Sequence, residues 1–145
     1  MNYVKVIFKL NIEDDWPPVS FETLNCIKIS DTEAVVSNTP FFAESLANGD
    51  TIEVSASSGG EIYFDKVTKF SGSSAISIII IQSTIKDGLI GYLEEIGCTV
   101  ESGDIQGYKM LAVEVPPGVS MEPLGFYLNA LEFKKNITFD VLCHG

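Results

Sequence analysis

Histidine is the usual proton carrier near neutral pH, and this sequence holds one, His144, beside its final residue, where a catalytic base is seldom held firmly. Ser-His-Asp and Cys-His arrangements are therefore not expected. Cys26, Cys98 and Cys143 match neither the spacing of a zinc cluster nor a disulfide framework, and read as reduced, mostly buried thiols. Histidine, cysteine and carboxylate residues nowhere cluster at metal-ligand spacing. The 20 Asp and Glu residues could supply an acid pair of the glycosidase kind, but nothing singles one out. Ser57-Ser58-Gly59-Gly60 precedes a strand instead of a helix and lacks the Lys and Ser/Thr of a phosphate loop, so it reads as a turn. No catalytic residue, cofactor or metal is expected.

What remains is the chemistry of recognition. In Glu13-Asp14-Asp15-Trp16-Pro17-Pro18, three carboxylates precede the only tryptophan and two rigid prolines. Exposed, that loop offers a basic partner the charges of Asp14 and Asp15 beside an aromatic anchor, Trp16. Folded back on the core, Trp16 would leave the carboxylates merely solvated. A second acidic set, Asp87, Glu94, Glu95, Glu101 and Asp104, surrounds an expected helix whose Leu93 and Ile96 face inward, so Glu94 and Glu95 point outward. Carboxylates near a helix C-terminus oppose the macrodipole by less than about 1 kcal/mol, a cost more readily tolerated where the charge contacts something. Asp14, Asp15, Trp16, Glu94 and Glu95 are thus the expected contact residues.

The charge balance agrees with such contacts. Against 20 acidic residues stand 9 lysines and no arginine, for a net charge of -11 and a pI near 4.3. Both halves share it, and no separate acidic tail exists. Without guanidinium forks or clustered cations the chain should hold neither nucleic acid nor anionic lipid, and its long-range field attracts a basic partner.

These residues must be positioned by short strands and two helices. Val4, Val6, Phe8 and Leu10 alternate with Lys5 and Lys9, a half-buried strand and not a secretory signal, which places the chain in the cytoplasm. Further strands are expected over Phe21 to Ile29, Glu33 to Ser37, Thr51 to Ser57 and Glu61 to Phe70, a small antiparallel sheet or open barrel spanning residues 1–72. After Ser71-Gly72-Ser73-Ser74 the pattern changes. Ala75 to Gln82 reads as a strand buried on both faces, too short to span a bilayer. Thr84 is a candidate cap for a helix carrying Ile85, Leu89, Leu93 and Ile96 and stopped by Gly97. Cys98 to Glu101 is a short strand with a turn at Ser102-Gly103-Asp104, and Lys109 to Val115 a longer one. A second helix begins near Ser120 and shows Leu124, Tyr127, Leu128 and Leu131 on one face, and Ile137 to Cys143 is the last strand. The order β-α-β-β-α-β predicts a ferredoxin-like sandwich over residues 73–145, so the chain is expected to be α+β, its two subdomains packed as one unit.

Taken in order, these segments resemble a family of small bacterial proteins catalogued as a conserved domain of unknown function. The residues that carry the likeness are Val4-Lys5-Val6-Ile7-Phe8, Trp16-Pro17-Pro18, Asn38-Thr39-Pro40-Phe41-Phe42, Gly49-Asp50, Ser71-Gly72-Ser73-Ser74 and Leu111-Ala112-Val113-Glu114-Val115-Pro116-Pro117. The resemblance implies a fold and no activity, and Ser73 stands where relatives often carry histidine. In type, without a shared motif, the chain also resembles immunity proteins of bacterial competition systems such as contact-dependent growth inhibition. A nuclease toxin must be basic to hold nucleic acid, so an acidic inhibitor gains steering and can fill its cleft as a phosphate mimic. The expected function is a cytoplasmic immunity protein, not an enzyme, that covers the active site of a basic nuclease, most simply as a monomer. The alternative is a metabolite-binding sensor, for which a closed apolar pocket with a few convergent polar groups would speak.

Overall fold

The computed structural model describes residues 2–145 and consists of two β layers with a helical layer on one of them. Five strands, β1 (Tyr3–Lys9), β2 (Phe21–Lys28), β3 (Glu33–Val36), β4 (Thr51–Ala56) and β5 (Ile62–Lys69), form a barrel. Neighbours along the chain pair antiparallel, with Val4 opposite Cys26 and Val6 opposite Leu24. The barrel is closed, not open, and its seam is parallel: Val6 and Ile7 of β1 pair with Ile62 and Tyr63 of β5. Register shifts at Thr51/Ile52 and Glu53/Val54 interrupt the β4–β5 ladder, irregularities of the kind that add twist and bend to a strand. Inside lie Val6, Phe8, Leu24, Cys26, Ala34, Val36, Ile52 and Val54, the alternate residues of their strands, with Ala43 and Leu46 of the β3–β4 connection packed among them.

The second layer contains β6 (Ser74–Ile80), α1 (Lys86–Glu95), β7 (Thr99–Ile105), β8 (Tyr108–Val115), α2 (Met121–Phe133) and β9 (Ile137–Cys143). Its strands lie in the order β7-β8-β6-β9, every neighbouring pair antiparallel. Ile76, Ile78 and Ile80 of β6 pack with Leu89 and Leu93 of α1 and with Leu124 and Leu128 of α2. The opposite face carries Ala75, Ser77 and Ile79, and Ala75 packs against Ala47 of the β3–β4 connection and Leu142 of β9. Strand β6 is thus covered on both faces, by the helices on one and the barrel side on the other.

Local punctuation follows the expected chemistry in some places and not in others. Gly97, at φ 104, ends α1: its N–H reaches Glu94 O at 3.1 Å and the Cys98 N–H reaches Leu93 O at 2.9 Å, a left-handed helix stop. Thr84 does not cap α1, because it lies inside a single 3₁₀ turn, Ser83–Ile85, and Ile85 takes the cap position without a side-chain bond. Nor does the β7–β8 turn fall at Ser102-Gly103-Asp104. Strand β7 runs on to Ile105, and the two-residue turn is Gln106-Gly107, both at positive φ, the geometry that suits the twist of a tight hairpin. Gly103 is a strand residue for a packing reason: a Cβ there would stand 2.9 Å from Phe41 Cζ. Among the described residues no helix is long and apolar enough to cross a membrane.

Candidate functional site

A cleft of about 800 Å³ opens between the barrel and the helix-free face of the second sheet. Its floor on the sheet is Ser77 and Ile79 of β6 with Thr138, Asp140 and Leu142 of β9, where Ser77 pairs directly with Asp140 across the strands. The facing wall is aromatic, with Phe41 and Phe42 from the β3–β4 connection and Trp16 from the loop between β1 and β2. Four carboxylates line it, Glu13, Asp14, Glu44 and Asp140, and Lys9 is the one cation among the described lining residues. Lys9 is itself engaged, its Nζ lying 5.3 Å from the centre of the Tyr63 ring.

Short-range chemistry builds the wall that holds Trp16. Glu13 and Trp16 exchange backbone bonds of 2.9 and 3.0 Å, closing a two-residue turn whose central residues, Asp14 and Asp15, both adopt positive φ (52 and 63). Aspartate tolerates that region better than most side chains, so the acidic run is also the sequence that makes the turn. Pro17 follows through a cis peptide bond. Trp16 then packs edge-on against Phe42 at 5.7 Å and against Tyr108 of β8 at 5.1 Å, between the barrel side and the second sheet. It is half-buried.

The rest of the wall hangs on two carboxylates, one half-buried and one exposed. Glu22 of β2 accepts the backbone N–H groups of Phe41 (2.6 Å), Phe42 (3.2 Å) and Ala43 (3.0 Å). Burial pushes its carboxyl above the ordinary value, against the pull of those three N–H groups, and the Glu101 charge pushes the same way as burial. From the other layer, Glu101 of β7 accepts from Asn38 Nδ2 and from the Thr39 N–H, both at 3.0 Å. The segment that carries Phe41 and Phe42 is therefore held by one carboxylate from each layer.

Of the five contact residues expected from sequence, Asp14 and Trp16 line the cleft, and Asp15 is exposed next to them. Glu94 and Glu95 are exposed at the end of α1, on the face of the sheet away from the cleft. The structure therefore brings two of the five into one site and leaves the last pair outside it. Glu44, Asp140 and Ser77 join the site without having been singled out as contacts. Ser77 did carry a signal, being a polar residue within an isoleucine-rich strand. Asp140 carried none, since an exposed acid on a terminal strand looks like any solvated charge. Among the described residues, no group of three or more His, Cys, Asp and Glu side chains is placed to hold a metal ion.

Comparison with known proteins adds fold and family. The chain is similar to a solved structure described as a novel crystal structure of a hypothetical protein from Neisseria gonorrhoeae, with a TM-score of 0.81 and 23% identity over 97% of this chain and 94% of that one. At that identity the likeness shows the fold alone. No match was found among curated proteins. Residues 22–139, from the β2 carboxylate that anchors the aromatic wall to the strand that floors the cleft, match DUF4265, and the chain belongs to that family, a domain of unknown function.

Proposed function

We propose that this chain is a non-catalytic, cytoplasmic binding protein that neutralises a basic nuclease toxin, as an immunity protein does, by setting the acidic mouth of the cleft against the toxin's nucleic-acid-binding surface. The observation that carries the reading is the composition of that mouth, Glu13, Asp14, Glu44 and Asp140 around an aromatic wall, with Lys9 alone opposing them among the described lining residues. The net charge of -11 extends the same field over the whole surface and would speed encounter with a cationic partner. Asp14 and Trp16 act at the mouth, Asp15 at its rim, and Glu94 and Glu95 steer from the far face. The antiparallel order β7-β8-β6-β9, with both helices on one side, supports reading the second layer as a ferredoxin-like unit.

The test is nuclease protection with any basic nuclease domain encoded beside this gene. A complex that forms at micromolar concentration, spares RNA from cleavage and weakens as salt rises is the expected result. Absence of both complex and protection would sink the reading. A metabolite sensor is the second reading, favoured by a volume within the range of about 300–1,000 Å³ usual for small-ligand sites. The cleft differs from the closed apolar pocket that such a sensor needs, being open to solvent and edged by charge.

A further inference from the structure

We infer that the cleft is a receptor for a single arginine side chain presented by the partner, its guanidinium held between Asp140, Asp14 and the Ser77 hydroxyl against the aromatic wall. This deepens the binding reading above and rests on it. Ser77 points to a ligand independently of the acidic mouth. It is only 6% exposed and lines the cleft, yet its hydroxyl has no hydrogen-bond partner among the described residues. No buried side-chain N or O atom of those residues lacks a partner when fully sealed from solvent, so the Ser77 Oγ is reached from the cleft. Its cross-strand neighbour Asp140, and Asp14 and Glu44 opposite, likewise make no side-chain hydrogen bond or ion pair within the described chain.

The unmet groups are almost all acceptors. Carboxylates accept only, and the hydroxyls of Ser77 and Thr138 add lone pairs beside their own O–H donors, so the complementary ligand is a cation rich in donors. Among side chains that describes lysine and arginine. The walls select between them. Arginine is planar, more weakly hydrated than an ammonium and stacks on aromatic faces, and its five N–H groups can meet several acceptors at once. A compact ammonium would keep its water in a cleft walled by Trp16, Phe41 and Phe42. Arginine is also the residue by which basic proteins grip phosphate, so occupying it removes that grip from nucleic acid.

Trp16, the only tryptophan, is a built-in reporter. The full chain is titrated, with its fluorescence followed, against N-acetylarginine amide, N-acetyllysine amide and N-acetylcitrulline amide, the last a neutral analogue of the same shape. Arginine amide is expected to saturate the signal at millimolar concentration, and citrulline amide to bind at least about tenfold more weakly for want of charge-assisted bonds. Asp140→Asn keeps the shape of an exposed side chain and should weaken arginine amide several-fold, as should Ser77→Val, whereas Glu122→Gln on the helical face should not. Urea midpoints confirm that each variant is folded. Citrulline or lysine amide binding as tightly as arginine amide, no saturable response, or equal loss from Asp140→Asn and Glu122→Gln overturns the inference. Protection from the toxin without any arginine response would overturn the arginine site while leaving the inhibitor reading. An arginine response without a toxin complex would uphold the site and overturn that reading.

Discussion

Three consecutive backbone N–H groups converge on one side chain at Glu22, and burial sets the sign of its titration. Because the folded carboxyl titrates above its ordinary value of 4.5, the folded state holds the proton over a pH range in which the unfolded chain has released it. The stability this group contributes is complete below that ordinary value and is lost as pH rises through the raised one. Urea midpoints measured from about pH 4 to about pH 7 should therefore fall for the wild type relative to Glu22→Gln, which lacks the slope. A wild type that gains on the variant across that window refutes the assignment. Cys26 behaves in parallel: burial outweighs a bond from the Ser37 backbone and pushes the thiol up to about 12. Cys98 is pushed up by burial first and by the Glu114 charge second. Both should resist a disulfide reagent in the native protein and react once urea opens the chain, read by absorbance of the released thiolate. That these thiols are buried was legible from their odd number and from spacings that fit neither a zinc cluster nor a disulfide framework. The role of Glu22 was not, since nothing local distinguishes it from other strand carboxylates.

At the scale of elements, the helices and most strands could be read because period and punctuation are local. Leu89 and Leu93, and Leu124 and Leu128, do face the core as their spacing implied, and Gly97 does stop α1. Gly103 shows where such reading fails. Its position between Ser102 and Asp104 looks like turn chemistry, but the constraint on it comes from Phe41, over sixty residues away in sequence. Gly103→Ala should force that ring to move, costing about 1–3 kcal/mol of stability as an overpacked site does. The same variant should change Trp16 fluorescence, since Phe41 belongs to the cleft wall. An unaltered urea midpoint would refute the packing role. Helix α2 ends in the same left-handed way as α1 but without glycine: Lys135 stands at φ 62, its N–H bonded to Glu132 O at 2.9 Å. Lys135→Gly should raise the unfolding free energy by about 0.5–1 kcal/mol. A lower melting temperature would count against that account.

For the whole molecule the decisive contacts join the two layers. Glu114 of β8 accepts from Asn48 Nδ2 at 3.1 Å, from Thr99 Oγ1 at 3.0 Å and from Ser73 Oγ at 3.0 Å, reaching the β3–β4 connection from the second sheet. Asp50, 1% exposed, accepts the N–H groups of Ala47 and Ser71 at 2.9 and 2.8 Å and so fixes the chain where it leaves the barrel. Several of the chain's carboxylates are therefore spent on architecture, and only a subset is free to meet a partner. Glu114→Ala leaves three donors without this acceptor and should lower the unfolding free energy by about 1–3 kcal/mol, measured by urea denaturation. A change within error would show that the layers do not depend on it.

Net charge, the scarcity of histidine chemistry, the isolated thiols, the two helices and the strand faces follow from the order of residues, because each depends on composition or on neighbours a few residues apart. Packing across the chain is what closes the barrel through a parallel β1–β5 seam, wedges Trp16 between Phe42 and Tyr108, and puts Asp14 in a cleft with Asp140 but not with Glu94 and Glu95. Side-chain period says which residues of a strand share a face. Which other layer that face meets is settled by packing between segments far apart in the chain, and so is what their meeting leaves open.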